Sequence, residues 1–143
     1  KLIDNKRIKR RGVKFFNNGL GKKEGEFRFK NDGAGFRISE EGSEMIKVLS
    51  AGEFVSTLRK DERPDFIKLD IEGAELDVID SLDMYIARYK PDLAISIYHK
   101  LEDLWTIPLK LKMLCPEYHI YIRHQSNYYT ETICYATTHS KKK

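Results

Sequence analysis

Two carboxylates and a histidine stand where strands should end. Asp70 and Glu72 follow the run Phe66-Ile67-Lys68-Leu69, and His99 follows Leu93-Ala94-Ile95-Ser96-Ile97-Tyr98. An imidazole exchanges a proton near physiological pH, which suits a base that takes a proton from a hydroxyl. His124 follows a later strand-like run and offers the same chemistry. The competing reading of His99 is a ring that only caps the next helix. Asp70 and Glu72 suit binding of a cationic group or a hydroxyl. Their alternative, shared by Glu75, is loop hydrogen bonding and compensation of a helix dipole. Two carboxylates at one turn would also suit a divalent cation with waters, but nothing else in the sequence completes that ligand set, so no metal is expected.

The elements that must hold these groups are legible. Pro64 opens and Asp70 closes a short apolar run, the pattern of a central strand covered on both faces. Gly73 allows a tight exit into a helix, with Glu72 and Glu75 in its first turn. Leu76, Ile79, Leu82, Ile86 and Tyr89 recur at three- and four-residue spacing and predict one amphipathic helix ending at Lys90-Pro91-Asp92. Leu93 to Ile97 reads as a second apolar strand. A strand-helix-strand unit implies a parallel pair with a right-handed crossover, and ligands sit outside the carboxyl ends of such strands. Tyr98, His99 and Lys100 therefore join Asp70 and Glu72 at one rim.

Before this unit, Lys6, Arg7, Lys9, Arg10 and Arg11 read as a solvated face. Val13 to Phe16 reads as a strand and Asn17-Asn18-Gly19-Leu20-Gly21 as its turn. Gly25 to Lys30 alternates like a half-exposed strand. The loop Asn31 to Gly35 is no dinucleotide loop, because position 38 is Ile and the glycines follow an exposed strand instead of opening a helix. It could serve as a flap near a substrate, with Arg37 and Ser39 available. Ile46 to Leu49 reads as a strand and Ala51 to Arg59 as a short helix. After His99 a helix is expected from about Leu101, with Trp105 packing down. Pro108 should begin a second helical piece and Cys115-Pro116 should stop it. Tyr118, Ile120 and Ile122 mark a strand with one buried face, and Glu131 to Thr137 a last strand antiparallel to it.

Composition narrows the class. The chain has 143 residues, the length of one domain. A net charge of +4, from 26 Lys and Arg against 22 Asp and Glu, indicates a solvated surface more simply than nucleic-acid binding. Cys115 and Cys134 form no ligand cluster, so free thiols in a reducing compartment are expected. Apolar runs are strand-length, with no signal-peptide core and no membrane span, which predicts a cytoplasmic protein.

The run Asp65-Phe66-Ile67-Lys68-Leu69-Asp70-Ile71-Glu72-Gly73-Ala74-Glu75, followed by Ala94 to Lys100 and by Glu102-Asp103-Leu104-Trp105, resembles the carboxyl-terminal half of FkbM-type S-adenosylmethionine-dependent methyltransferases. The resemblance runs from about Val13 to Ala136. It implies an α/β, Rossmann-like class I methyltransferase sheet, mostly parallel with an antiparallel last strand and lacking the first strands. That domain would span 13–137, between a basic segment at 1–12 and a basic tail at 138–143. The family's glycine-rich first loop and the acidic residue after its second strand have no counterpart here.

The resemblance implies S-adenosylmethionine as cofactor. Asn18, Gly19 and Leu20 would lie near its adenine, or be an ordinary glycine turn. Asp70 would receive the methionine ammonium or orient the acceptor, and Glu72 would bind an acceptor hydroxyl. His99 would be the base, and Lys100, His124 and Arg37 would face the substrate. By the same resemblance the acceptor is a hydroxyl of a sugar, polysaccharide or natural product. The Asn/Asp-Pro-Pro-aromatic run of base-modifying amino methyltransferases and the Pro-Cys nucleophile of carbon-methylating ones are both absent, so no nucleic-acid partner is expected. Two readings stand: the carboxyl-terminal portion of an O-methyltransferase, or a non-catalytic interaction domain that forms a homo-oligomer through an open sheet edge.

Overall fold

The computed structural model describes Lys14 and residues 16–31, 36–38, 42–128 and 130–139. The basic segment at 1–12, Ser39 and residues 140–143 of the expected tail lie outside the described residues, as do the side chain of Arg37 and two residues, Val13 and Phe15, of the first expected strand.

Two four-stranded mixed sheets carry the fold. The first uses β1 (Gly19–Gly21), β2 (Gly25–Asn31), β3 (Phe36–Ile38) and β4 (Glu44–Ser50), in the order β1-β4-β2-β3. The second uses β5 (Phe66–Leu69), β6 (Asp92–Ser96), β7 (His119–His124) and β8 (Thr132–Thr137), in the order β5-β6-β8-β7. Among the described residues four helices accompany them: α1 (Ala51–Thr57), α2 (Glu75–Ser81), α3 (Asp83–Tyr89) and α4 (Asp103–Leu114). The strand-helix-strand unit is present, with β5 and β6 parallel and Leu69 opposite Ile95. The last strand, β8, runs antiparallel to both β6 and β7.

Several expectations are corrected. The sheets are not mostly parallel: only β1·β4 and β5·β6 are parallel pairs among the described residues. The stretch Gly19 to Gly21 is not a turn but a strand, pairing with Val48 to Ser50. Its glycines suit that contact, since a Cβ on Gly21 would come within 2.9 Å of a Val48 methyl. Among the described residues β5 pairs only with β6. Leu69 is buried there, but Phe66 is 58% exposed, so the strand is not covered on both faces.

The helix expected through Tyr89 divides at Leu82. Its amide donates to the carbonyls of both Val78 (3.0 Å) and Ile79 (3.1 Å), and Asp83 starts a new helix. The division lets Val78, Ile79, Leu82, Tyr85 and Ile86 all bury against the core, where Tyr89 does not reach. Pro108 lies inside α4 and does not begin a second piece. It removes the amide that Leu104 carbonyl would use, and because Leu104 is exposed, water can reach that turn. Trp105 does not pack down either; it is 54% exposed. Ile107, Leu111 and Cys115 face inward instead and meet Leu93, Ile95, Ile97, Cys134 and Ala136 of the second sheet in one core. Tyr118 closes it, donating its hydroxyl to the Pro91 carbonyl at 2.6 Å. Both thiols are free and buried, and burial alone pushes Cys134 up to about 12.

Candidate functional site

Helix α2 begins one turn after β5, and the linking turn is conformationally demanding. Glu72 has φ 58° and Gly73 φ 94°. A Cβ on Gly73 would stand 3.2 Å from Lys100 Cε and 3.7 Å from His99 Cβ, so the turn lies against the segment leaving β6. The ends of the two parallel strands are thereby brought together, as the strand-helix-strand reading requires.

His99 is at the centre, with its side chain only 9% exposed. Its Nδ1 lies 2.8 Å from Glu75 Oε1. That same oxygen accepts from Ile71 N–H at 2.9 Å. An oxygen already accepting one amide proton is an acceptor for the ring as well, so Nδ1 carries the proton and donates it. The lone pair of the neutral ring is therefore on Nε2. This atom is buried without a hydrogen-bond partner among the described residues, and stands 3.6 Å from Glu72 Oε2 and 3.8 Å from Asp70 Oδ1. Proton uptake at Nε2 would create an imidazolium facing the carboxylates of Asp70, Glu72 and Glu75.

Asp70 is held by Lys68 Nζ at 3.2 Å on Oδ2 and by the Tyr98 hydroxyl at 3.2 Å on Oδ1. Burial raises its pKa, but hydrogen bonds from Ser96 and Lys68, the Lys68 charge and Tyr98 together outweigh that and leave it below the ordinary value. Asp70 therefore stays ionised. Tyr98 is affected in the opposite sense: burial, and then the charge of Asp70, push its phenol up to about 12, so it remains a donor. Its ring lies 4.2 Å from the imidazole, centroid to centroid. Behind His99 lies Asp103, which is 1% exposed and donates its backbone amide to Lys100 carbonyl at 3.1 Å. Burial, reinforced by Glu75 and Glu102, raises its carboxyl pKa against the opposing pull of Lys100 and His99. Asp103 Oδ2 and Glu75 Oε2 are, like Nε2, buried without partners among the described residues.

Of the expected site residues, Asp70, Glu72, His99 and Lys100 come together. Asn18, Gly19 and Leu20 belong to the first sheet: Asn18 reaches the Lys47 carbonyl at 3.4 Å, and Gly19 and Leu20 pair with Val48 and Leu49. His124 is on β7, separated from β6 by β8, and its Nδ1 bonds Thr132 Oγ1 at 2.8 Å. It is not part of this cluster. Arg37 is on β3 of the first sheet. Sequence reading missed Glu75, Ser96 and Asp103. For two of them a signal existed. Glu75 falls in register with Val78, Ile79, Leu82 and Ile86, and Asp103 with Ile107 and Leu111, so each is an acid on the apolar stripe of its helix. Among the described residues, no group of three or more His, Cys, Asp or Glu side chains has the arrangement to hold a metal ion.

Comparison with known proteins shows the family. The family model for the methyltransferase FkbM domain matches residues 11–130, and the chain belongs to that family. The crystal structure of methyltransferase FkbM from Methylobacillus flagellatus KT is similar, with 25% sequence identity and a TM-score of 0.67. The similarity covers 91% of this chain but only 31% of that one. No curated protein matches the chain significantly.

Proposed function

We propose that the chain carries the acceptor-activating part of an S-adenosylmethionine-dependent O-methyltransferase, with His99 as the base. The observation that carries this reading is the buried Nε2, without a hydrogen-bond partner among the described residues and 3.8 and 3.6 Å from Asp70 and Glu72, on a ring held by Glu75. The residues present fit the cofactor: Asp70 offers an ionised, partly exposed carboxylate at the strand end, able to receive an ammonium or a hydroxyl. When bound, the cofactor supplies an electrophilic methyl group for in-line displacement, a reaction governed mostly by alignment. His99 Nε2 would take the proton of the acceptor hydroxyl. Glu75 keeps the tautomer and, with Asp70 and Glu72, stabilises the imidazolium that results. Glu72 and Lys100 flank the acceptor. A hydroxyl-rich acceptor, such as a sugar or natural product, suits this mixture of carboxylates and a tyrosine.

Asn18, Gly19 and Leu20 are assigned to the adenine from the family resemblance, Arg37 to the substrate from the loop beside it, and His124 from its place at a strand end. No helix among the described residues is long and apolar enough to cross a membrane. The free thiols favour a reducing, cytoplasmic setting. Incubation with radiolabelled S-adenosylmethionine and a panel of glycans and polyols tests the proposal. Label should enter a hydroxyl, and His99→Ala should lower turnover about 100-fold or more while the KM for the cofactor stays unchanged. Equal turnover by the variant would exclude His99 as base.

A second reading is favoured by one observation, the edge of β5 that has no strand partner among the described residues, with Phe66 exposed. In that reading the chain is a non-catalytic interaction domain. It predicts no transfer to any acceptor and a strand added along β5.

A further inference from the structure

Three buried side-chain atoms around His99 have no hydrogen-bond partner among the described residues: His99 Nε2, Glu75 Oε2 and Asp103 Oδ2. The first faces the acceptor. The other two are carboxyl oxygens, and a buried oxygen is costly unless some donor meets it.

Two helices deliver these acids to one place. Glu75 is the first residue of α2 and Asp103 the first of α4. The Asp103 amide donates to the Lys100 carbonyl at 3.1 Å and closes the turn that leaves His99. That turn lies against the approach to α2, since a Cβ on Gly73 would stand 3.2 Å from Lys100 Cε and 3.7 Å from His99 Cβ. Glu75 is 0% and Asp103 1% exposed. The charges acting on the Asp103 carboxyl are those of Lys100, Glu75, Glu102 and His99.

Two fully buried carboxylates at one site are not both ionised at low cost, so one of them holds a proton. The hydrogen bonds decide which. Glu75 Oε1 accepts from Ile71 N–H at 2.9 Å and from the imidazole Nδ1 at 2.8 Å, the environment of an anion. Asp103 Oδ2 accepts from no described residue, and Lys100, whose charge would favour an anion there, is exposed.

We propose that Asp103 is protonated in the folded chain and donates its hydroxyl to Glu75 Oε2. One hydrogen then satisfies both oxygens. Burial, with Glu75 and Glu102, raises the Asp103 carboxyl in the sense this requires, against Lys100 and His99. Asp103 is thereby a positioning residue. Held at Oε1 by Ile71 and His99 and at Oε2 by Asp103, the Glu75 carboxylate is fixed in its plane, and the imidazole keeps Nε2 toward the acceptor. The catalytic meaning of this rests on His99 being the base, but the place of the proton does not.

Infrared spectra of the parent chain and Asp103→Asn at neutral pH locate the proton. Their difference should show the loss of one neutral-carboxyl band, with the carboxylate bands unchanged. NMR reads the consequence, because the His99 Nδ1 proton should exchange slowly with water in the parent. Asp103→Asn, whose amide can still donate to Oε2, should keep that protection within about twofold, whereas Asp103→Leu should lower it about tenfold or more, the worth of one hydrogen bond. Loss of a carboxylate band in the difference spectrum would overturn the proposal, meaning that both acids are ionised around a bridging water. So would loss of protection in Asp103→Asn as complete as in Asp103→Leu. If Asp103→Leu does not fold, the difference spectrum and the exchange in Asp103→Asn decide alone. A chain that shows the neutral band and the protected proton, yet transfers no methyl group, would refute the methyltransferase reading and uphold this one.

Discussion

Replacing Glu75 by alanine tests both the stability of the site and its chemistry. In the folded chain Glu75 Oε1 is the acceptor for Ile71 N–H and for His99 Nδ1, at 2.9 and 2.8 Å, and the residue is fully buried. Alanine would leave both donors without an acceptor, at about 1–3 kcal/mol each. Against this, the substitution removes a buried carboxylate whose Oε2 has no partner among the described residues, and the cost of burying it is recovered. The net loss should be about 3 kcal/mol, a large fraction of the roughly 5–15 kcal/mol of a small domain. In urea this lowers the midpoint by about 1–2 M. Glu75→Gln keeps an oxygen in place and should lose less than half as much. A purely structural role would stop there. The positioning role adds a spectroscopic signature: nitrogen NMR of the imidazole should show Nδ1 protonated in the parent chain and that preference abolished in Glu75→Ala. A stability change under about 0.5 kcal/mol, typical of a surface substitution, or a parent ring protonated on Nε2 alone, would refute the reasoning.

Other outcomes follow from the same geometry. Gly73→Ala should lower stability by about 1–2 kcal/mol in thermal unfolding, because alanine tolerates φ 94° poorly and its methyl would crowd Lys100 and His99. Pro108→Ala should raise stability by at least about 1 kcal/mol, since it returns an amide to the interior of α4. Asp70 has a depressed pKa when folded, so its contribution is present above the unfolded value near 3.8 and is lost as pH falls through the lower folded value. Acid titration below that point should therefore destabilise the parent chain more steeply than Asp70→Asn. Cys134, pushed up to about 12 by burial, should resist thiol reagents at neutral pH until the chain unfolds.

The second sheet and its site were largely legible, because period-two and period-3.6 patterns are strong where apolar residues are buried. Both strands of the parallel pair, the turn at Gly73 and the meeting of Asp70, Glu72 and His99 follow from Pro64 to Lys100 alone. The first sheet was harder. Gly19-Leu20-Gly21 has turn chemistry but adopts a strand, since its close approach to Val48 favours residues without side chains. Pro108 misled for the opposite reason: a single missing amide is tolerated when the inward face of the helix is held by Ile107 and Leu111. Residue type alone places Phe66 and Trp105 in the interior, yet burial depends on which partners the tertiary structure brings, and both are exposed. Glu75 and Asp103 could have been recognised as acids on apolar stripes, but the bond from Glu75 to His99 joins residues 24 positions apart and no local pattern encodes it.

The most direct test of the central claim is an isothermal titration of S-adenosylmethionine into the chain, its Asp70→Ala variant and its His99→Ala variant. Binding should be measurable in the parent, lost in Asp70→Ala and kept in His99→Ala, since Asp70 is assigned to the cofactor and His99 to the acceptor. No heat with the parent chain, or equal binding by all three, would contradict a cofactor site centred on Asp70.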